Sequence, residues 1–144
     1  MNQHILFLCT GNYYRSRFAE ILFNHISRID NLPYRADSRG LRISPRNKGP
    51  LSIHTIEYMK SLNIDIVPFL RDPSPVDVSD FTSYSGIIAM DRKEHEPMMK
   101  ELFPDYYSKI EYWDFEDDYI TAPEIVLPRL EKKIRLLVEQ FKLK

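Results

Sequence analysis

The chain has 144 residues, of which 43% are hydrophobic and 28% charged, and its formal net charge is -1 at pH 7. This length and balance suit one globular domain, and they exclude an extensively disordered protein and argue against a general nucleic-acid binder. No apolar run approaches the roughly 20 residues that span a bilayer, and the first residues lack the basic start of a secretory signal, so we expect a cytoplasmic protein.

Short apolar runs alternate with segments of helical period in the first half of the chain. The pattern predicts a buried strand over residues 4–8, a helix over 15–29 and a second short strand over 34–37. Residues 39–51 contain two glycines and two prolines and are predicted to form a loop. A helix over 52–62 follows, with Ser52 as its N-cap.

The second half of the chain repeats this alternation. A surface connection over residues 72–80 leads to a buried strand over 86–90, a polar helix over 92–102 and a last short strand over 109–112. An acidic, irregular segment at 113–123 precedes a long closing helix, predicted to begin at about Pro128 because proline suits a first turn. Strands separated by helices predict one α/β domain over residues 1–144, with a parallel sheet covered by helices on both faces.

The sequence contains one cysteine, Cys9. One cysteine excludes an internal disulfide, and a structural zinc site would need several thiolates. The four histidines have no metal-like spacing, and His95, between two glutamates, is predicted to be an exposed helix residue. We therefore expect no metal and no cofactor.

The turn after the first strand is where ligands bind in open α/β sheets. Here it spans residues 9–16, hereafter the phosphate loop, with Cys9 at its start and Arg15 and Ser16 at its end. Gly11 and Asn12 tolerate left-handed backbone angles, so the loop can curl until its N–H groups face one concavity. The N-terminus of the next helix favours an anion, and the Arg15 fork matches two phosphoryl oxygens.

The same environment stabilises a thiolate at Cys9. Such a thiolate can attack phosphorus and form a phosphocysteine intermediate, while Arg15 and the loop amides stabilise charge on the transferred group. Ser16 would donate a hydrogen bond to the Cys9 sulfur, or act as a helix N-cap, or do both.

A leaving alkoxide or phenoxide needs a proton, so a carboxylic acid is expected opposite the phosphate loop. Carboxylates cluster after the last strand at Asp114, Glu116, Asp117 and Asp118. Spacing alone does not choose among them, and most are expected to be solvated.

With these features the chain resembles the low molecular weight protein tyrosine phosphatase family over nearly its whole length. The family's signature is a Cys-x5-Arg-Ser loop after the first strand, with Gly-Asn at its bend, and residues 9–16 match it. The resemblance implies catalysis by Cys9, Arg15 and Asp117, with Tyr119 as an aromatic wall beside the acid. It also implies that the phosphate loop binds the substrate through Thr10, Gly11, Asn12, Tyr13, Tyr14 and Ser16.

Further segments share this resemblance. Asp37-Ser38 resembles the second-strand segment whose serine bonds to the loop asparagine, and Arg71 falls where the family has a basic residue after the second helix. Met90-Asp91 resembles the end of the third main strand.

Three positions depart from the family pattern. Tyr14 stands where most members carry a second cysteine, so their protective disulfide cannot form here. Asp118 replaces the proline of the usual Asp-Pro-Tyr acid loop, which makes that loop less rigid and leaves Asp118 as an alternative acid. Pro68 falls where some members have a histidine that supports the loop asparagine.

The resemblance implies a phosphatase that acts on phosphotyrosine in proteins or on small aryl phosphates. We expect a monomer or weak dimer, and the near-neutral charge and short apolar runs predict no nucleic-acid and no membrane partner. Tyr13, Tyr119 and Trp113 would form a slot for a phenyl ring. Phosphoarginine is an alternative substrate, which the bulk of Tyr13 disfavours. A phosphate-binding regulator without turnover is a second alternative. Arsenate reduction of the thioredoxin-coupled kind is set aside, because one cysteine provides no thiol relay.

Overall fold

Four parallel strands form the central sheet of the computed structural model, which describes residues 3–143. The strands are β1 (Gln3–Cys9), β2 (Tyr34–Gly40), β3 (Gly86–Ala89) and β4 (Glu111–Tyr112). Their order in the sheet is β2-β1-β3-β4, and every neighbouring pair is parallel. This confirms the predicted α/β fold and places the end of β1 in the middle of the sheet's carboxyl edge.

Four helices connect or follow the strands. They are α1 (Arg15–Ile29), α2 (Ile53–Ser61), α3 (Arg92–Leu102) and α4 (Pro123–Lys142). Helices α1 and α3 have the predicted bounds, and Ser52 caps α2 as predicted, accepting a hydrogen bond from the His54 N–H at 3.2 Å. Two short 3-10 helices, Val67–Phe69 and Val78–Thr82, lie in the connection between α2 and β3.

Alternate side chains of β1 enter two separate cores, one on each face of the sheet. Ile5, Phe7 and Cys9 belong to the larger core, which contains residues of α1 and α4. Leu6 and Leu8 belong to the smaller core, with Met99 of α3. Because both faces are covered, β1 is apolar and buried from Ile5 to Cys9, which is typical of a central parallel strand.

Strand β2 is longer than predicted. It extends to Gly40, which pairs with Cys9, so β1 and β2 end together beside the phosphate loop. A side chain at Gly40 would place its Cβ 3.0 Å from the Thr10 carbonyl oxygen and 3.1 Å from the Asn12 Cβ. Glycine at this position therefore reflects the close approach of two backbones rather than a turn.

Helix α4 begins at Pro123, five residues before the predicted start at Pro128. The N–H groups of Ile125 and Val126 both donate to the Ala122 carbonyl, at 2.9 and 3.1 Å, and thereby close the first turn there. Two prolines satisfy the first-turn preference, and the sequence pattern selected the wrong one.

Within residues 3–143, no helix combines the length and the apolar character that a membrane span requires.

Candidate active site

A cleft of about 140 Å³ lies at the carboxyl edge of the sheet. Its walls come from three segments, namely the phosphate loop, the loop after β2 and the acidic segment after β4. The lining residues are Cys9, Gly11, Tyr13, Tyr14, Arg15, Asn47, Asp117 and Asp118. The fold therefore brings all three predicted catalytic residues, Cys9, Arg15 and Asp117, to one cleft.

The phosphate loop curls tightly at its centre. Of the two residues predicted to tolerate left-handed backbone angles, Asn12 adopts one, with φ 51°, whereas Gly11 does not have a positive φ. A side chain at Gly11 would instead place its Cβ 3.3 Å from the Asn47 amide nitrogen. The backbone N–H groups of residues 11–14 donate to no acceptor in residues 3–143, so they remain for a bound anion.

The side chain of Asn12 holds the loop from behind. Its amide nitrogen donates to the hydroxyls of Ser16 and Ser38, at 2.9 and 2.8 Å. Its carbonyl oxygen accepts from Arg71 and from the Ser74 N–H, each at 3.0 Å. The predicted bond between the loop asparagine and Ser38 is therefore confirmed.

Arg71 supports this arrangement from outside the loop. One of its terminal nitrogens bonds to Asn12, and the other donates to the Ser38 hydroxyl at 3.0 Å and to Glu20 at 3.1 Å. Pro68, by contrast, is exposed. Arg71 thus makes the contacts to Asn12 and Ser38 that the family resemblance associated with a histidine at the position of Pro68.

Cys9 lies at the base of the cleft and is almost fully buried. Its Sγ atom is 2.9 Å from the hydroxyl oxygen of Ser16. Helix α1 has Tyr14 as its N-cap, so Ser16 is its second residue and is not the cap. Of the two roles predicted for Ser16, the geometry supports the contact with sulfur.

Arg15 is buried and its hydrogen bonds are unevenly distributed. Nη1 donates to Glu94 Oε1 at 3.0 Å and to the Phe115 carbonyl at 2.9 Å, and Nη2 donates to Glu94 Oε2 at 2.9 Å. Nε is buried without a hydrogen-bond partner in residues 3–143. These bonds use three of the five N–H groups of a guanidinium, which leaves Nε–H and one Nη2–H for a ligand.

Glu94 is a site residue that sequence analysis missed. Its side chain is only 13% exposed. Burial opposes its charge, but the contacts with His95 and Arg15 outweigh burial and hold the pKa of Glu94 well below its usual range. Asp91 follows β3, which ends at the same sheet edge as β1 and Cys9, and Glu94 lies one helical turn after Asp91. That spacing was the available sequence signal for Glu94.

The prediction that His95 is exposed is wrong, since its side chain is completely buried. Its Nδ1 accepts a hydrogen bond from the Asp91 N–H at 3.0 Å, and its Nε2 is 3.1 Å from Thr10 Oγ1. Helix α3 begins directly after β3, and the helix face that carries Glu94 and His95 therefore lies against Thr10 of the phosphate loop.

Asp117 lies beside Arg15, with 3.4 Å between its Oδ2 and Nη2. Burial raises the pKa of the Asp117 carboxyl, and the negative charges of Glu94 and Asp118 raise it further. The positive charge of Arg15 lowers this pKa, but the net shift is upward. Asp118 also lines the cleft, but its carboxylate faces His54, 3.8 Å from Nε2. The geometry thus distinguishes the two aspartates, and Asp117 is the one next to the guanidinium.

The predicted aromatic slot needs correction. Tyr119 is 78% exposed and does not line the cleft, because the turn at residues 117–121 directs it outward. Trp113 is buried in the core, where its indole N–H donates to Glu111 at 2.6 Å. Tyr13 and Tyr14 are the aromatic residues that do line the cleft.

The other predicted binding residues lie behind the loop surface. The Thr10 hydroxyl donates to Glu94, and the side chains of Asn12 and Ser16 are fully buried. Side chains at these three positions therefore support the loop, and any contact with substrate would be through the backbone.

Comparison with known proteins gives a consistent result. The profile of the low molecular weight phosphotyrosine protein phosphatase family matches residues 4–144. Arsenate reductase 1 of Staphylococcus saprophyticus is 29% identical over 140 residues, which cover 97% of this chain and 96% of that protein.

Two solved structures resemble the fold over nearly the whole chain. A low molecular weight protein tyrosine phosphatase from T. tengcongensis is 25% identical with a TM-score of 0.79, covering 96% of this chain and 99% of that one. A mutant of the YwlE arginine phosphatase, with a phosphorylated active-site serine, is also 25% identical, with a TM-score of 0.78 and coverage of 96% and 95%.

Proposed function

This chain belongs to the low molecular weight phosphotyrosine protein phosphatase family, and on that premise we propose that it hydrolyses phosphate monoesters, with phosphotyrosine or another aryl phosphate as substrate. The observation that carries the proposal is the position of Arg15. Its Nε has no hydrogen-bond partner in the described chain, and its Nη2 donates one hydrogen bond, to Glu94, with the Asp117 carboxylate 3.4 Å away, in a cleft that Cys9 also lines.

In the first step the Cys9 thiolate attacks phosphorus and an S–P bond forms as the P–O bond to the leaving group breaks. Asp117 transfers its proton to the leaving oxygen, for which its raised pKa is suited because the acid form persists to higher pH. Arg15 and the backbone N–H groups of residues 11–14 stabilise the charge on the three equatorial oxygens.

In the second step water attacks the phosphocysteine and the S–P bond breaks. Asp117, now ionised, accepts the proton of the water, and the thiolate leaves with a hydrogen bond from Ser16. The relative whose active-site serine is phosphorylated supports a covalent phosphoryl intermediate in proteins of this fold.

The aromatic residues of the cleft support an aryl substrate. Tyr13 and Tyr14 line it, and the Tyr13 hydroxyl donates to the Lys48 carbonyl at 2.5 Å, which ties the ring to the loop after β2. A planar phenyl ring packs well against such side chains. Phosphoarginine is the second candidate, because a relative of matching length is an arginine phosphatase.

Arsenate reduction is less well supported, although one relative is an arsenate reductase. Reduction of arsenate by a relay inside the chain would need further thiols, and the sequence has Cys9 alone. A single nucleophilic thiol fits a reducing compartment, so we place the activity in the cytoplasm.

Hydrolysis of a matched set of peptides, phosphorylated on tyrosine, arginine or serine, tests the proposal. An aryl phosphate is the fourth substrate, and each substrate is assayed with the wild-type protein and the Cys9→Ser variant. We expect turnover of the phosphotyrosine peptide and the aryl phosphate, and its loss in Cys9→Ser with inorganic phosphate still bound, since a hydroxyl is a far weaker nucleophile at neutral pH. Faster hydrolysis of phosphoarginine would select the second candidate. Phosphate binding by the wild type without any hydrolysis would favour a regulator that only binds phosphate.

A further inference from the structure

Glu94 presents an unusual feature for a site that must bind a dianion. Its carboxylate spans the two terminal nitrogens of Arg15 with a nearly symmetric pair of bonds, of 3.0 and 2.9 Å. A buried negative charge at this position competes electrostatically with a phosphoryl group for the same guanidinium. Its presence therefore needs an explanation beyond charge balance.

The carboxylate is itself held firmly from the other side. Its Oε2 accepts from the Thr10 hydroxyl and lies 3.1 Å from His95 Nε2. Because His95 Nδ1 accepts a hydrogen bond from the Asp91 N–H, the ring proton is on Nε2, and Nε2 therefore donates toward Glu94 Oε2. Thr10 belongs to the phosphate loop and His95 to α3, so Glu94 is fixed relative to both.

We propose that Glu94 is a positioning residue, which holds the Nη1–Nη2 edge of Arg15 so that the Nε–H and the free Nη2–H face the phosphoryl group. The proposal rests on the proposed function. The Phe115 carbonyl, 2.9 Å from Nη1, occupies the last N–H of that nitrogen and leaves the guanidinium one orientation. A planar fork held along one edge presents its other edge in a fixed direction.

Replacement of Glu94 by glutamine tests this directly. The amide oxygen can accept from one Arg15 nitrogen, whereas the amide NH₂ would face the other nitrogen, donor against donor. We expect kcat for an aryl phosphate to fall about 10- to 100-fold with KM changed much less, since misplacement of a reacting group by about 1 Å can cost about 10²-fold. Glu101→Gln is the matched control, because Glu101 lies on the same helix with its side chain 70% exposed and paired to Arg42.

A double-mutant cycle with Arg15→Lys separates positioning from a general structural effect. Lysine has no second edge to be held, so Glu94→Gln should change kcat by less than about 3-fold in that background. An equal loss in both backgrounds would contradict the proposal. So would a folded Glu94→Gln protein with wild-type kcat and tighter phosphate binding, which would identify Glu94 as a mere competitor for Arg15.

Two further measurements keep the test decisive. If Glu94→Gln does not fold, Glu94→Asp keeps the charge but is one methylene too short to span both nitrogens, and full activity of that variant would overturn the proposal. If the wild type hydrolyses no phosphate ester, the proposed function fails, and inorganic phosphate binding by calorimetry then tests Glu94 alone. Weaker phosphate binding by Glu94→Gln than by wild type or Glu101→Gln would support positioning, and equal or tighter binding would refute it.

Discussion

The hydroxyl of Ser16 accepts a hydrogen bond from the Asn12 amide at 2.9 Å and lies 2.9 Å from the sulfur of Cys9. Because Asn12 is the donor in the first contact, the Ser16 proton is free to point at the sulfur. Asn12, which does not line the cleft, thereby directs the hydrogen bond of the Ser16 hydroxyl to the Cys9 sulfur.

Ser16→Ala should therefore slow breakdown of the phosphocysteine more than its formation. Without the hydroxyl, the leaving thiolate loses a hydrogen bond, so we expect a loss in kcat of about 10- to 10³-fold, the range for one charge-stabilising donor or less. Rapid-mixing assays with an activated aryl phosphate would show a burst of phenolate before the slower steady state. Ser61→Ala, remote from the cleft and bonded to the Tyr58 carbonyl, serves as control. Loss of the burst together with kcat would place the role of Ser16 in the first step.

Arg15→Lys should reduce kcat/KM about 10²-fold or more. An ammonium cannot present two parallel donors to the phosphoryl group while bonding to Glu94 and the Phe115 carbonyl, as the guanidinium does. Steady-state kinetics on an aryl phosphate measure the loss, with Arg42→Lys as an exposed control paired to Glu101. Near-normal rates in Arg15→Lys would mean that the arginine only stabilises the loop.

Asp117→Asn should slow hydrolysis of phosphotyrosine about 10²- to 10⁴-fold, the usual contribution of a positioned acid. In kcat/KM, which reports the first step and not the hydrolysis of the phosphocysteine, the effect on an activated aryl phosphate should be much smaller, because its phenolate leaves unprotonated. Asp118→Asn is the control and should change little, since Asp118 faces His54. A leaving-group-dependent loss in Asp118→Asn alone would assign the acid to Asp118.

The same residue predicts a pH dependence. An acid must be protonated to donate, so wild-type hydrolysis of a poor leaving group should decline as pH rises through the pKa of Asp117. Burial raises that pKa, which moves the decline toward higher pH than an ordinary aspartate would give. Asp117→Asn should remove this limb of the kcat–pH profile, and a limb that persists in the variant would exclude Asp117 as its source.

Tyr14→Phe should leave the protein as stable as the wild type, or more stable by about 1 kcal/mol. The Tyr14 hydroxyl is buried without a partner in the described chain, so its removal takes away an unsatisfied group and no bond. Tyr58→Phe is the matched control, since its hydroxyl donates to Glu131 at 2.6 Å and its loss should lower the free energy of unfolding by about 1 kcal/mol. Urea denaturation compares the two, and equal destabilisation would show that the Tyr14 hydroxyl has a partner.

Sequence patterns predicted the elements whose signals are local. The apolar run before Cys9 and the regular stripe of the first helix depend on neighbouring residues alone, and both elements were found within one or two residues of their observed bounds. The start of α4 was missed because Pro123 and Pro128 offer the same first-turn signal, and only the packing of the helix decides between them.

The candidate site divides in the same way. Cys9 and Arg15 lie six positions apart in one loop and could be identified together, whereas the contact between Arg15 and Glu94 joins residues 79 positions apart. A buried glutamate and histidine inside a polar helix resemble solvated residues in any sequence pattern. Only the order of the strands, which brings the ends of β1 and β3 together, shows that this helix faces the phosphate loop.

The presence of Tyr14 beside Arg15 affects how the Cys9 thiol recovers after oxidation. Peroxide converts a reactive thiolate to a sulfenic acid, which a neighbouring cysteine can capture as a disulfide that is later reduced. Tyr14 offers no such capture, and the chain has no other thiol. Recovery of Cys9 then depends on a small thiol that enters the cleft before a second oxidation gives the sulfinic acid, which reducing agents do not reverse.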